Sequence, residues 1–321
     1  MSVTAASGFA AGGIGAGIRK GDRPDLALVR SLAPAVGTAL WTTNRVQAAP
    51  VVVSKRHLAA AEPQAVVVNA GVANAATGER GEADAAATAE AAARALGLRA
   101  EQVLVLSTGV IGVPLPLDRV LAGVEALAGL LSPDGGEAAA EAILTTDSGP
   151  KQAVRHGQGF VVGGMAKGAG MIHPNLATML AVITTDYPLA SGAEALELLR
   201  PAVAESFNRI TVDGDCSTND AVVLLANGAS GAARDDAAFA RALLEVCGEL
   251  AEAIVADGEG ATTVLEIDVS GAASAGQAEA VARRIATSPL VKTAAFGRDP
   301  NWGRVLAAAG SAPYDGGFAE L

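Results

Sequence analysis

Residues 167–186 read KGAGMIHPNLATMLAVITTD, so a lysine, a glycine-rich turn and a proline precede a threonine and an apolar run. The run after Thr178 predicts a buried strand, Met179–Thr184. A threonine hydroxyl is a poor nucleophile because almost none of it is ionised at neutral pH. An N-terminal threonine overcomes this, since its own α-amine titrates near neutrality and acts as the base. Because Thr178 is internal, this chemistry requires the chain to cut itself between Ala177 and Thr178.

Short apolar runs alternate with alanine-rich segments along the rest of the chain. The apolar runs predict strands at Thr38–Thr43, Pro50–Ser54, Ala65–Asn69, Val103–Ser107, Met179–Thr184, Ala221–Ala226 and Thr262–Val269. The alanine-rich segments predict helices at Ala83–Ala95, Leu117–Leu131, Gly136–Leu144, Ala193–Ser206, Asp236–Ala256 and Gln277–Ala286. This mixture predicts an α/β fold of the layered α+β kind, with sheets covered by helices. The small polar segment Asn227–Asp236 predicts a boundary between a catalytic α/β domain, residues 1–232, and a smaller α/β domain, residues 233–321.

The composition narrows the class of protein. The 321 residues carry a formal net charge of -11, which argues against nucleic-acid binding because that normally needs a basic surface. Two cysteines and three histidines form no ligand-spaced cluster, so we expect no metal site. The N-terminus does not resemble a signal peptide, and no strongly apolar stretch is long enough to span a bilayer. We therefore expect a soluble, cytoplasmic protein that binds neither nucleic acid nor membrane.

The strand predicted at Val103–Ser107 is followed directly by Thr108 and Gly109. A strand that ends in Thr-Gly presents a hydroxyl and an unobstructed backbone N–H at the sheet edge. These are the donors of an oxyanion hole, where each contributes about 2.7–4 kcal/mol at the transition state. Taken alone, the same residues are also typical of an ordinary turn between a strand and a loop.

Two charged residues beside glycines are further candidates. Lys167 could pair with a substrate carboxylate, although a lysine among glycines is usually a solvated turn residue. Glu259 lies between glycines after the helix predicted at Asp236–Ala256, so it could direct a carboxylate at an amine. Loops that end helices often have the same sequence, and both interpretations stay open. The segment 213–220, DGDCSTND, lacks the glycine and glutamate that a calcium loop needs and predicts a hydrogen-bonded turn before a strand.

Together these segments resemble the bifunctional glutamate N-acetyltransferase / ornithine acetyltransferase family of arginine biosynthesis. The resemblance covers the chain from Gly8 to Gly310. Its matching segments are TTNRV (42–46), NAATG (74–78), STGVIG (107–112), TTD (145–147), AKGAGMIHPNLATML (166–180), DGDCSTND (213–220), DGEGAT (257–262) and RDPNWGR (298–304).

The resemblance implies a specific activity and assembly. Self-cleavage at the Ala177–Thr178 bond would give an α chain, residues 1–177, and a β chain, residues 178–321, assembled as an α2β2 heterotetramer. Thr178 would accept the acetyl group of N2-acetyl-L-ornithine and pass it to L-glutamate. No cofactor is implied, although some family members also use acetyl-CoA as a co-substrate.

The resemblance also assigns roles to the candidate residues. Thr178 would be the nucleophile, and Thr108 with the Gly109 N–H would form the oxyanion hole. The residues expected to contact substrate are Thr145, Lys167, Thr178 and Glu259. Because two half-reactions would share one acyl-enzyme, we expect ping-pong kinetics.

The sequence departs from the family pattern in two places. Thr263 replaces a lysine that commonly follows the glutamate segment. Family members also continue further and end with an asparagine and a threonine or serine that contact substrate, whereas this sequence stops at Leu321. We therefore expect a smaller C-terminal domain without its usual end, and either a truncated sequence or a protein with weakened affinity for substrate.

Two alternatives stay open. One is a related self-cleaving amidase or aminopeptidase that uses the same threonine with water as the acceptor. The other is a truncated, uncleaved chain that does not catalyse a reaction.

Overall fold

A computed structural model describes residues 2–173 and 179–313 of the protein. Within these ranges the strands are β1 Phe9–Ile14, β2 Leu26–Ser31, β3 Val36–Trp41, β4 Ala65–Val72, β5 Val103–Val110, β6 Lys151–His156, β7 Val161–Lys167, β8 Leu180–Thr185 and β9 Ala221–Ala226. The helices are α1 Ala49–Ala60, α2 Gly78–Leu96, α3 Leu117–Ala128, α4 Gly136–Ala142, α5 Gly192–Ala204, α6 Asp236–Ala256, α7 Ala275–Ala286, α8 Pro289–Phe296 and α9 Trp302–Gly310. Short 3-10 helices cover Ala100–Gln102 and Phe207–Arg209.

The strands form two sheets. A four-stranded sheet has the order β1-β2-β4-β5, and a five-stranded sheet has the order β3-β9-β8-β7-β6. The pairs β4/β5 and β8/β9 are parallel, and the other neighbours are antiparallel. The ends of β4 and β5 and the residues just before β9 contribute to the site described below.

The sheets pack face to face between helices because the central strands are apolar on both faces. Val66 and Val68 of β4 pack in the core between the sheets, and Val67 packs in a second core with α2 and α3. On the other sheet, Val182 belongs to the core between the sheets, and Ile183 packs with α5 and α6. Side chains that alternate between two buried faces are expected for central strands. The result is a four-layered helix–sheet–sheet–helix protein, which confirms the predicted layered α/β fold.

The predicted elements are confirmed at all six helices and at five of the seven strands, with small shifts of their ends. The strand predicted at Pro50–Ser54 is wrong, since these residues belong to α1. Proline is favoured in the first turn of a helix, where its missing N–H costs nothing. The Ser54 hydroxyl donates to the carbonyl oxygen of Val105 and accepts the Val105 N–H, both at 2.8 Å. The helix therefore supplies hydrogen bonds to the edge of β5 that has no neighbouring strand among the described residues.

The strand predicted at Thr262–Val269 is also wrong, because this segment has no regular secondary structure. No strand in residues 2–173 or 179–313 pairs with it, and a strand needs a hydrogen-bonded neighbour. Ile267 and Val269 instead pack against the small core that α7, α8 and α9 form.

The predicted division at residues 232 and 233 stays a prediction. Phe239 and Val246 of α6 pack in the same core as Ile183 of β8, which favours a boundary after this helix. None of the helices in the described ranges combines the length and the apolar character needed to cross a bilayer.

Candidate active site

A cavity of about 490 Å³ opens where the ends of β5 and β7 meet the segment after α6. It is lined by five of the residues predicted for the site, namely Thr108, Gly109, Thr145, Lys167 and Glu259. The roles assigned to these residues stay predictions. Ala177 and Thr178, the predicted cleavage site and nucleophile, lie outside the described residues.

Thr108 and Gly109 at the end of β5 form one wall of the cavity. The position of this wall depends on the close approach of β5 to its parallel neighbour β4. Gly109 has a φ of +131°, a region that L side chains rarely adopt. A Cβ atom on Gly109 would lie 2.2 Å from the carbonyl carbon of Gly71 on β4, so only glycine fits. Thr108 is buried beside it, and the pairing of β4 with β5 becomes irregular at Gly71 and Val72.

The five-stranded sheet holds this wall through Asn219, which precedes β9. Its Nδ2 atom donates to the carbonyl oxygens of Ala73 at 2.7 Å and of Ser107 at 2.8 Å. Asn219 is buried and also lines the cavity. The sequence had indicated only a turn here, and Asp213 does form one by accepting the N–H of Asp215 at 3.1 Å.

Lys167 supplies a buried cation. Its side chain is 3% exposed, and its Nζ atom lies 3.9 Å from Oδ2 of Asp147. Burial lowers the pKa of Lys167, and the Asp147 charge opposes this. Burial also acts to raise the pKa of Asp147, but the Lys167 charge, a Lys151 hydrogen bond and two backbone N–H donors outweigh it and hold the pKa at about 2. Asp147 is therefore a carboxylate at neutral pH.

Asp147 organises the backbone around the cavity. Its Oδ2 atom accepts the Thr145 N–H at 3.0 Å, and its Oδ1 atom accepts the Gly168 N–H at 2.6 Å. These bonds fix the two segments that carry Thr145 and Lys167. Asp147 belongs to the matching segment TTD (145–147), but its position beneath Lys167 had no signal in the sequence.

Glu259 supplies an exposed carboxylate that also lines the cavity. A Cβ atom on Gly170 would lie 2.6 Å from Oε1 of Glu259, so this carboxylate rests against the glycine-rich turn after β7. The Glu259 N–H also donates to the carbonyl of Ala169 at 2.7 Å. The segment after α6 is thereby joined to the turn that leads towards Thr178.

Asp220 contacts Met179, the residue at which the described part of the chain resumes. Its Oδ1 atom accepts the N–H of Met179 at 3.1 Å, and Met179 is covalently joined to Thr178. The next residue, Leu180, pairs with Lys167 across β7 and β8. Burial raises the pKa of Asp220 well above its usual range, although the Met179 N–H and the Lys167 charge oppose this.

Arg19 also lines the cavity, and sequence reasoning missed it. It donates from Nη1 to the carbonyl of Leu144 at 2.8 Å and from Nη2 to that of Pro24 at 2.5 Å. It lies in a loop without a motif, so no signal pointed to it. With Arg19 and Lys167 as cations and Glu259 as an anion, the cavity suits a small zwitterionic molecule.

The four-layered fold and a cavity that combines a strand-end Thr-Gly pair with a buried cation are those expected of an enzyme that acts on acyl groups. The sequence pattern of the ArgJ family matches residues 10–320, and the chain belongs to this family.

Relatives and solved structures agree with this assignment. Arginine biosynthesis bifunctional protein ArgJ from Symbiobacterium thermophilum is 52% identical, over 99% of this chain and 83% of its own length. The protein of the same name from Streptomyces coelicolor is 52% identical, over 97% of this chain and 81% of its own. The structure of ornithine acetyltransferase complexed with ornithine from Mycobacterium tuberculosis is 46% identical, with a TM-score of 0.52, and covers 54% of this chain and 94% of that chain. ArgJ from Bacillus halodurans is 42% identical, with a TM-score of 0.51, over 55% and 94%.

Proposed function

We propose that this protein transfers the acetyl group of N2-acetyl-L-ornithine to L-glutamate through an acetyl-threonine at Thr178. The observation that carries the proposal is that Thr108, Gly109, Lys167 and Glu259 line the same cavity. The names of the relatives, which describe bifunctional enzymes of arginine biosynthesis and an ornithine acetyltransferase, support the substrate class.

The first step is self-cleavage. The Thr178 hydroxyl attacks the carbonyl carbon of Ala177, and the peptide C–N bond breaks as an ester forms. The hydroxyl proton is transferred to the departing nitrogen. Water then hydrolyses the ester, which leaves a carboxylate on Ala177 and a free α-amine on Thr178. This amine is the base that the nucleophile needs.

In the first half-reaction the freed amine takes the Thr178 hydroxyl proton, and the oxygen attacks the acetyl carbonyl of N2-acetylornithine. The tetrahedral oxyanion accepts hydrogen bonds from the Thr108 hydroxyl and the Gly109 N–H. The C–N bond to ornithine then breaks, the leaving nitrogen takes the proton, and ornithine departs. The acetyl group stays as an ester on Thr178.

The second half-reaction reverses these steps with a new acceptor. The α-amine of glutamate attacks the acetyl ester, the same donors hold the oxyanion, and the Thr178 oxygen leaves and regains its proton. N-Acetylglutamate is released. Because the acetyl group never leaves the enzyme between the steps, ping-pong kinetics are expected.

Two side chains of opposite charge would select N2-acetylornithine and glutamate from other small molecules. Lys167 pairs with the α-carboxylate that N2-acetylornithine and glutamate share, and Thr145 lies on the same wall. Glu259 suits the δ-ammonium that only N2-acetylornithine carries. No cofactor is needed for either half-reaction. Acetyl-CoA is a further candidate donor in place of N2-acetylornithine, because its acetyl group is held as a thioester, which is more reactive than an amide.

We further propose that the cleaved chains, residues 1–177 and 178–321, assemble as an α2β2 heterotetramer in the cytoplasm. The pairing of strand β7 with strand β8, in which Lys167 is opposite Leu180, supports the association of the two chains, because β7 lies before the proposed cut and β8 lies after it. Size-exclusion chromatography with light scattering tests the oligomer.

Denaturing mass spectrometry and product analysis test the proposed function. The account predicts fragments 1–177 and 178–321, with ornithine and N-acetylglutamate formed in equal amounts. Thr178→Ala should stay uncut and inactive, whereas the exposed control Thr263→Ala should be cut and active. Ornithine and acetate without N-acetylglutamate would identify a hydrolase instead. A single intact chain without turnover would identify a non-catalytic protein.

A further inference from the structure

Lys151 on β6 is a second buried lysine beneath the cavity, and nothing in the reaction above uses it. Its side chain is 3% exposed, and its Nζ atom lies 2.7 Å from Oδ1 of Asp147 and 2.6 Å from Oδ2 of Asp257. A charge this deeply buried is costly unless it is closely paired. Lys151 meets that condition by bridging two carboxylates from distant parts of the chain.

The two lysines share one carboxylate, Lys151 on the Oδ1 side and Lys167 on the Oδ2 side. Asp147 lies 2.7 Å from the Lys151 ammonium but 3.9 Å from that of Lys167. The closer pair is a direct charge-assisted hydrogen bond, and the longer separation is beyond hydrogen-bonding distance. Asp147 therefore makes its direct contact with Lys151 and acts on Lys167 only through the longer charge interaction, which leaves the Lys167 ammonium able to hydrogen-bond another anion.

The other contact of Lys151 reaches the segment after α6. Asp257 also accepts the Ser148 N–H at 3.0 Å and bonds to the Ser148 hydroxyl, and it precedes Glu259 by two residues. Lys151 thus joins the segment that carries Thr145 to the segment that carries Glu259. The one ammonium therefore contacts Asp147, which bonds to the backbone beside Thr145 and Lys167, and Asp257, which lies two residues before Glu259.

We propose, on the basis of the function proposed above, that Lys151 is a positioning residue for the amino-acid substrates. By neutralising Asp147 it leaves Lys167 available for the substrate carboxylate, and by holding Asp257 it fixes the segment that carries Glu259. Without the Lys151 charge, Asp147 would pair with Lys167 and compete directly with the substrate.

Steady-state kinetics of Lys151→Met test this proposal in the full-length protein. The KM values for N2-acetylornithine and for glutamate should both rise about tenfold or more, because a charge-assisted contact is lost from substrate binding. The value of kcat should stay within about threefold, since Lys151 does not contact the reacting atoms. Arg155→Met is the matched control, because Arg155 lies on the same strand but pairs with Glu245 and Glu249 at the surface.

A second variant separates this role from a purely structural one. Lys151→Met leaves the partly buried Asp257 carboxylate without its ammonium partner and should lower Tm, whereas Lys151→Met/Asp257→Asn removes one charge of each sign and should recover much of it. Asp147 still pairs with Lys167 in the double variant, so both KM values should stay high. KM values that return to the wild-type level as Tm recovers would overturn the proposal, as would unchanged KM values in the single variant.

The wild-type protein keeps this inference separate from the proposed function. If the wild type does not form N-acetylglutamate from N2-acetylornithine, the proposed function fails before any variant is compared. If the wild type does so and Lys151→Met has the same KM values as Arg155→Met, the inference alone fails.

Discussion

The side-chain amide of Asn219 donates a 2.8 Å hydrogen bond to the carbonyl oxygen of Ser107, the residue before the proposed oxyanion hole. The same Nδ2 atom donates to the carbonyl oxygen of Ala73 at 2.7 Å. Ala73 directly follows β4, and Ser107 belongs to β5, the parallel neighbour of β4. Asn219 precedes β9 in the other sheet. One amide therefore holds the two sheets together at the edge where the chemistry is proposed to occur.

Asn219→Ala should affect both stability and catalysis. Two buried carbonyl oxygens lose their donor, so the free energy of unfolding should fall by about 1–3 kcal/mol in urea titrations. Because the β5 end also loses its support, kcat should fall about tenfold or more.

Asn227 offers a matched control at the other end of β9. Its Nδ2 atom donates to the carbonyl oxygens of Ser7 and Gly8, away from the cavity. Asn227→Ala should lower stability while kcat stays at the wild-type level. An equal loss of kcat in both variants would show that Asn219 acts only through global stability.

Gly109→Ala should nearly abolish acetyl transfer. The new Cβ would lie 2.2 Å from the Gly71 carbonyl carbon, so the strand end must shift and the proposed donor moves away from the oxyanion. Loss of one such donor costs about a hundredfold or more in kcat. Gly112→Ala is the control, since Gly112 has a φ of +79° but no atom within 4 Å of an added Cβ. Equal kcat values for the two variants would contradict the role given to Gly109.

Glu259→Gln should separate the two substrates. If Glu259 pairs with the δ-ammonium, the KM for N2-acetylornithine should rise about fivefold or more, because a charged contact at an exposed site is lost. The KM for glutamate should not rise, since glutamate has no second cation. Glu266→Gln, an exposed position outside the cavity lining, should change neither value. A parallel rise for both substrates would indicate a general effect on the segment.

The low pKa of Asp147 should appear as acid sensitivity. Its folded-state pKa of about 2 lies below the ordinary value of 3.8. Its ion pairs therefore stabilise the folded protein at pH values above 3.8. That contribution should be lost as the pH falls from about 4 towards about 2, because protons then bind more readily to the unfolded chain. Denaturant titrations across this range should give a flatter profile for Asp147→Asn than for the wild type. Parallel profiles would contradict the ion pairing.

The sequence predicted much of the fold because the central strands are distinctly apolar. The run Ala221–Ala226, for example, is buried throughout and was placed correctly. Helix α1 was missed because Val51, Val52 and Val53 are typical of strands, whereas its contact with the backbone of β5 through Ser54 is a tertiary effect. Strand β7 was not predicted, because Gly163 and Gly164 lie inside it and glycine is uncommon within strands. A Cβ atom on Gly163 would lie 2.3 Å from the Ser2 carbonyl oxygen, so glycine here allows close packing.

The site was predictable only in part. The Thr108-Gly109 end of β5 followed from an apolar run and small residues, and Lys167 and Glu259 gained their roles from the resemblance to a family. The links made by Lys151 and Asn219 could not be read from the chain, because their partners Asp257 and Ser107 lie 106 and 112 residues away. Only the fold brings such residues together.

The acetyl-enzyme is the most direct test of the central claim. The cleaved protein would be incubated with N2-acetylornithine alone, quenched in acid and measured by intact mass spectrometry with fragmentation. The account predicts that the fragment 178–321 gains one acetyl group on the Thr178 oxygen and loses it when glutamate is added, with N-acetylglutamate as the product. An unmodified fragment during turnover, or an acetyl group on another residue that glutamate removes, would contradict it.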